Sequence, residues 1–284
     1  MEILGITDST LRLGVFLTSL VVFSVAEAWW PRRVRVYPRW RRWPTNLLVL
    51  VIGAAAVRGM AALSPPLVAV ATALWGDEHR FGLLNVIVLP TALEFVLTLL
   101  LLDLLIWGQH LAFHRMPWCW RWHRVHHADR DIDASTALRF HPGEIMLSML
   151  VKCLAVLALG APVVAVIVFE IVLNGMALFN HANLRLPESV DRLLRRVVVT
   201  PDMHRIHHSI RLEEQHRNFG FSLSVWDRLF GSYAEQPRDG HAAMRIGLVD
   251  CQTDAPTQLG WTLRSPWASA PSSDAAARTS EPTQ

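Results

Sequence analysis

Residues 145–179 read IMLSMLVKCLAVLALGAPVVAVIVFEIVLNGMALF. This block of roughly 35 residues is apolar almost throughout and is interrupted at Gly160-Ala161-Pro162. A membrane-spanning helix needs about 20 apolar residues at 1.5 Å rise, so the block fits two short crossings or a re-entrant hairpin. Either way the chain leaves and returns on one side. Residues before 145 and after 179 then face the same compartment.

The rest of the chain agrees with a membrane setting. Of 284 residues, 52% are hydrophobic and 18% charged, and the mean hydropathy is +0.28. That balance is too apolar for an ordinary soluble domain. Further spans are expected from about Leu11 to Trp30, Thr45 to Leu63 and Leu83 to Trp107, the last broken only by Pro90, Glu94 and Asp103. Leu67 to Leu74 is too short to cross and is expected at the interface. The start shows no convincing cleavage pattern, so the first span is expected to be retained. The fold class is therefore all-α, an integral-membrane helical bundle of about four to five transmembrane segments with a cytoplasmic helical cap. Residues 1–80 form an N-terminal transmembrane region and residues 81–235 the histidine-bearing domain. Residues 236–284 form a C-terminal tail, largely disordered after about 265 where it turns Ala/Ser/Pro-rich.

Cys119, Cys153 and Cys251 form no CxxC pair, which argues against a disulfide framework or thiolate-held metal. The net charge of +3 is carried almost wholly by arginine, Lys152 being the only lysine. Because the arginines flank apolar spans, they are expected to meet lipid headgroups rather than nucleic acid. The loop PRRVRVYPRWRRW holds Arg32, Arg33, Arg35, Arg39, Arg41 and Arg42, which places it in the cytoplasm by the positive-inside rule. Counting spans from there puts eleven of the 13 histidines on that face. His79 falls outside, and His241 lies far down the tail.

Those histidines are patterned. His110 and His114 are spaced i, i+4, and H-x-x-H-H occurs twice, as His123, His126, His127 and as His204, His207, His208. On a helix, residues three and four apart share a face with Cβ atoms about 5–6 Å apart, so one turn aims two or three imidazoles at one point. Chance would supply about 0.03 copies of H-x-x-H-H in such a chain. Metal-free clustered imidazoles would repel on protonation and cost desolvation when unpaired. Two neighbouring metal ions are the expected occupants, and imidazole alone does not choose between iron, zinc, copper and nickel. His181 ends the last apolar helix; a lone helix-end histidine is usually a dipole partner, but the nearby cluster makes it a ligand candidate. Asn174 and Glu170 share its stripe. Asp103 lies on the face of His110 and suits a carboxylate that orients a ligand histidine, or a polar contact between helices. His141 could serve the metal or only an interface, and His216 sits in a polar loop. Asp129, Asp131 and Asp133 are expected to form a solvated charged loop.

The ordered motifs H-x3-H, H-x2-H-H and H-x2-H-H are flanked by WCWRWHRVHHADRDIDASTALRFHPGE, FNHANLRLP, VVTPDMHRIHHS and NFGFSLSVWDRLFGSY. Together they resemble the sterol desaturase / fatty acid hydroxylase superfamily over about residues 90 to 235. The resemblance implies a membrane-bound non-haem di-iron oxygenase acting on lipid C–H bonds with O2 and external electrons. It implies iron ligation by His110, His114, His123, His126, His127, His204, His207 and His208, and likens His181 to an additional histidine near the metal. His216 departs from the small polar residues often found at its place in relatives. With no fused haem or ferredoxin-like segment, electrons are expected from a separate transfer protein.

The expected activity is therefore O2-dependent hydroxylation or desaturation of a fatty acyl or sterol-like lipid drawn from the bilayer, with activity falling in acid as the imidazoles protonate. The expected location is the bacterial inner membrane, with the metal on the cytoplasmic side. A non-catalytic metal binder or transporter is the alternative, but a transporter holds its polar ligands near the midplane. A zinc-dependent membrane hydrolase is another, distinguishable by its indifference to O2.

Overall fold

The computed structural model describes residues 2–3 and 6–268. After a two-rung hairpin of Glu2–Ile3 with Ile6–Thr7, the chain runs through α1 (Asp8–Trp29), α2 (Arg39–Leu63), α3 (Ala69–Glu78), α4 (Leu83–Val86) and α5 (Thr91–Arg115). It continues with α6 (Pro117–His127), α7 (Pro142–Leu159), α8 (Val163–His181), α9 (Glu188–Leu194) and α10 (Pro201–His207). Four short helices follow: α11 (Leu212–Gln215), α12 (Val225–Leu229), α13 (Gly240–Ala243) and α14 (Leu259–Arg264). Of these, α1, α2, α5, α7 and α8 are long and apolar enough to cross a membrane.

The apolar block at 145–179 resolves into two such helices. Their turn is local chemistry: α7 ends on Gly160 at φ 63°, a left-handed cap that glycine adopts freely, and Pro162 caps the start of α8. Proline also corrects the third span. Pro90 cannot donate within a helix, so it starts α5 instead of lying inside it, and residues 83–86 form a separate turn.

Leu13, Leu17 and Val21 of α1, Val96 of α5, Leu154 of α7 and Val172 of α8 point outward and exposed, a surface suited to lipid tails rather than water. Inside, Leu102 and Ile106 of α5 meet Val156 of α7 and Val166, Ile167 and Phe169 of α8. The short helix α3, expected at the interface, joins this core through Ala69, Val70 and Ala73. Lipid is as apolar as leucine, so helices in a bilayer are held by close packing and polar clasps. One such clasp explains the single lysine. Lys152 Nζ of α7 lies 2.8 Å from Glu170 Oε1 of α8, and Arg12 of α1 pairs with the same carboxylate.

The arginine-rich loop behaves differently from expectation. All six of its arginines have protein partners, including Arg32 with Asp202 at 3.0 Å, Arg39 with Glu27 at 2.8 Å, and Arg33 with the Met244 carbonyl at 2.7 Å. Arg42 is 1% exposed and sits 2.6 Å from both Asp129 and Asp133. Asp129, Asp131 and Asp133 are thus buried around a guanidinium and not solvated. The i, i+2 spacing of three carboxylates reads as a surface loop until the partner 87 residues away is seen. Asp131 also accepts from the Val36 and Tyr37 amides at 2.9 and 2.8 Å, and Glu27 from those of Ala134 and Asn183 at 3.0 and 2.9 Å.

Residues after 235 pack onto this clasp. Arg139, 1% exposed, donates to Asn46 of α2 at 2.9 Å and to the Pro256 carbonyl and Thr262 Oγ1 at 2.7 and 3.0 Å. Ser265–Trp267 forms a 3-10 turn. The segment from 269 onward, expected to be disordered, lies outside the described residues.

Candidate metal centre

Four elements bring the histidines together. The last turns of α5 carry His110 and His114, α6 carries His123, His126 and His127, the end of α8 carries His181, and α10 with its C-cap carries His204, His207 and His208. Proline at the first position starts both α6 and α10, and the Thr200 side chain caps α10 by accepting from the Met203 amide.

The nine rings fall into two adjoining buried groups. His110, His114, His123, His127 and His207 form one, and His126, His181, His204 and His208 the other; within each, one nitrogen per ring lies within 4.8 Å of all the others. Each H-x-x-H-H therefore feeds both groups. Its i, i+4 pair goes to one group and its middle histidine to the other.

Hydrogen bonds settle which nitrogen is free. A carbonyl only accepts, so the Nδ1 facing it must carry the proton, leaving Nε2 with its lone pair. This holds for His110 on Phe219 O at 2.8 Å, His207 on Arg217 O at 2.8 Å and His181 on Ala177 O at 2.7 Å. His123 Nδ1 meets Glu144 Oε1 at 2.6 Å. Nε2 of His181 then stands 3.0 Å from Nε2 of His126 and 3.1 Å from Nε2 of His204, and Nε2 of His123 stands 3.2 Å from Nε2 of His127. One lone pair cannot serve two donors well. Two nitrogens bound to one ion at about 2.0–2.1 Å stand about 2.9–3.4 Å apart, so the spacing fits a shared cation in each group. The Nε2 atoms of His110 and His207, and both nitrogens of His114 and His208, are buried without hydrogen-bond partners. No carboxylate belongs to either group, so the donor set is wholly neutral nitrogen.

The surroundings keep it so. Burial pushes the His123 imidazole down to about 3. Burial and neighbouring imidazoles push His126, His127, His204, His207 and His208 well below the usual histidine range. Burial thus favours the neutral form of these rings, the form that can hold a metal. Phe140 stacks on His126 with centroids 4.3 Å apart, and Phe219 lies edge-on to His110 at 5.7 Å, walls that exclude water.

The remaining candidates lie elsewhere. Asp103 accepts from the Leu223 amide at 3.2 Å and Trp226 Nε1 at 2.9 Å, a contact between α5 and the segment entering α12, and orients no histidine. His141 caps α7: its Nδ1 accepts from the Gly143 amide at 3.0 Å and its Nε2 faces Leu263 O at 3.2 Å, so neither nitrogen is left for an ion. His216 is half-buried, with its ring centroid 6.0 Å from that of His114, and Asn174 donates to Glu170 O at 2.8 Å.

Two carboxylates escaped the sequence reading. Glu144, in HPGE, holds His123. Asp227 accepts from the Phe219 amide at 2.8 Å, Gly220 amide at 2.7 Å and Trp107 Nε1 at 3.0 Å, which sets the Phe219 carbonyl that holds His110. A Cβ on Gly220 would meet Asp227 Oδ2 at 2.7 Å, so the close approach requires glycine. The unexplained glycine beside an acid eight residues after Phe219 was the available signal.

The fatty acid hydroxylase family model matches residues 95–232, which contain all nine clustered histidines. Ornithine lipid hydroxylase OlsE of Rhizobium tropici is 25% identical over 191 residues, 67% of this chain and 54% of the relative. Alkylglycerol monooxygenase of Homo sapiens is 26% identical over 129 residues, 44% of this chain and 27% of the relative. The match thus spans about half the length of the first and about a quarter of the second. No solved structure matches the chain. Residues 95–232 thus combine the histidine motifs, their buried convergence and a match to the fatty acid hydroxylase family, which this part of the chain resembles.

Proposed function

We propose that the protein is a membrane-embedded, O2-dependent lipid hydroxylase with two iron ions, one held by His110, His114, His123, His127 and His207 and the other by His126, His181, His204 and His208. The observation that carries this reading is the convergence of lone-pair Nε2 atoms into two adjacent dry groups beside membrane-spanning helices. When bound, a redox-active pair of ions supplies the activation of O2 that attack on an unactivated C–H bond requires.

The chain's own residues do the rest. The Phe219, Arg217 and Ala177 carbonyls and Glu144 fix ring orientation and tautomer. Phe140, Phe219 and Phe221 keep water from the centre. The spans present an acyl or sterol-like substrate from the bilayer. Electrons come from a separate transfer protein, and the arginine-rich loop supports a cytoplasmic site at a bacterial inner membrane. The relatives' names, hydroxylase and monooxygenase, favour oxygen insertion over desaturation. A transporter is disfavoured because the ligands gather at helix ends and on α6 and α10, beyond the spans.

Comparative lipid mass spectrometry of cells with and without the protein tests the reaction. A lipid species gaining one oxygen is the expected result. Loss of two hydrogens would redirect the reading to desaturation, and an unchanged lipidome from iron-replete protein would sink it.

Glu144 gives a sharper test of the metal assignment. Glu144→Ala frees the His123 ring and lowers metal affinity at the five-histidine group by about 10–100-fold. Glu144→Gln keeps an acceptor at Nδ1 and recovers most of it. Metal per chain after dialysis against a chelator is the readout, and an alanine variant that keeps its full complement would contradict the role.

A further inference from the structure

A cavity of about 220 Å³ lies between α5 and α8, lined by Val96, Leu100, Phe169 and Val172 and by two polar side chains, Asp103 and Ser222. Its mouth is on the outer flank of the spans, where Val96 and Val172 are 49% and 43% exposed. The neighbouring Phe221 ring is 6.2 Å by centroids from His110 and 6.3 Å from both His181 and His204. The groove therefore opens on the lipid-facing surface, and its lining residue Ser222 is one position from Phe221, whose ring neighbours the histidines.

The polar pair is unexplained by the fold. Asp103 is 4% exposed, and its Oδ2 takes both hydrogen bonds from Leu223 and Trp226. Ser222 adjoins the carboxylate, but neither Oδ1 nor Ser222 Oγ makes a close, well-directed hydrogen bond among the described residues. A dry carboxylate oxygen without a donor is costly, more so in an apolar lining.

We propose that this groove binds the alkyl chain of a bilayer lipid carrying a hydrogen-bond donor, a hydroxyl or an amide N–H, and that Asp103 Oδ1 and Ser222 Oγ receive it. The carboxylate already acts as acceptor on its other oxygen, so it selects a donor. A plain methylene chain leaves Oδ1 orphaned, and an ester, which only accepts, repels it. Asp103 lies about 10.5 Å along α5 from His110. A donor anchored there fixes how far along the lipid the carbon facing the histidines lies. The two side chains are thus specificity determinants; this purpose rests on the lipid-hydroxylase reading.

The test uses binding, not turnover. Hexadecan-1-ol carrying a photoreactive diazirine is crosslinked to the full-length protein in nanodiscs. Unlabelled hexadecan-1-ol, N-methylhexadecanamide, hexadecane and methyl hexadecanoate compete. Crosslinks are expected on residues 96–103 and 169–172. The alcohol and the amide should compete at concentrations at least about tenfold lower than the alkane and ester, as a hydrogen bond to a charged group implies. Their relative rank identifies which donor the site prefers. Asp103→Asn, which turns an amide donor toward the groove, should remove the disadvantage of the ester relative to the alcohol and the amide. Ser222→Ala, which leaves both bonds to Asp103 Oδ2 in place, should narrow the advantage of the alcohol and the amide over the alkane to about threefold. Equal competition in the native protein, crosslinks elsewhere, or an undiminished preference in both variants would overturn the proposal. Iron content and lipid product are measured separately, so the hydroxylase reading can stand if this fails, and the reverse.

Discussion

His207→Ala and His126→Ala are each expected to abolish the proposed lipid product and to lower bound iron, while the protein still inserts and purifies from the membrane. The two rings belong to different groups, so each variant damages one ion's shell directly. Orienting a ligand is worth 10–100-fold in affinity or activity, and removing the ligand itself should cost at least about 100-fold. Folding should survive. His207 forfeits one hydrogen bond, to Arg217 O, worth about 1 kcal/mol. Its Nε2 has no protein partner, so truncation also removes a buried atom that only a metal would satisfy. Iron per chain by elemental analysis is the deciding measurement. Full occupancy in either variant, with activity lost, would mean that the ring acts on something other than the ion.

The second large effect lies away from the histidines. Arg42→Met leaves Asp129 and Asp133 buried without their nearest counter-charge, Arg35 alone remaining 3.8 Å from Asp133, and breaking such a pair costs about 3–5 kcal/mol. Burial raises the Asp133 carboxyl, but the Arg42 charge, with hydrogen bonds from Ser135, Arg42 and Trp43, brings it below its ordinary value. That balance is lost with the guanidinium. Against a typical total stability of about 5–15 kcal/mol, the loss is severe. Thermal denaturation in detergent should show a large drop in midpoint. Arg42→Lys, which keeps charge but not the forked geometry, should fall between. Adding Asp129→Asn and Asp133→Asn to Arg42→Met should recover part of the loss. A methionine variant as stable as the native protein would show that the carboxylates do not depend on this partner.

Eight of the nine ligand candidates were legible because their signal is local, and His181, alone at a helix end, became a candidate only through the cluster near it. Imidazoles at i, i+3 and i+4 announce a shared helical face before any tertiary contact is known, and the apolar block at 145–179 announces a return to the same side. Their partition was not legible. That His126 leaves His123 and His127 to join His181 follows from where α8 and α10 end. The roles of Asp103 and His141, left open between the metal and a plain contact, and the burial of the three aspartates were not legible for a related reason. A buried acid or histidine takes its role from its partner, and those partners are Trp226, Leu263 and Arg42, 123, 122 and about 90 positions away. Glu144 escaped because a single glutamate 21 residues from His123 has no periodic signature.

The clasp formed by Glu27 and Arg42 bears on how this centre could be moved or redesigned. Both side chains lie outside residues 95–232, yet they grip the backbone and carboxylates just after His127 and just after His181. A graft carrying only the histidine-bearing stretch would transplant ligands without the vise that closes on them. Borrowing the chemistry for a new scaffold therefore means borrowing the first two helices as well, or rewriting acids and arginine together.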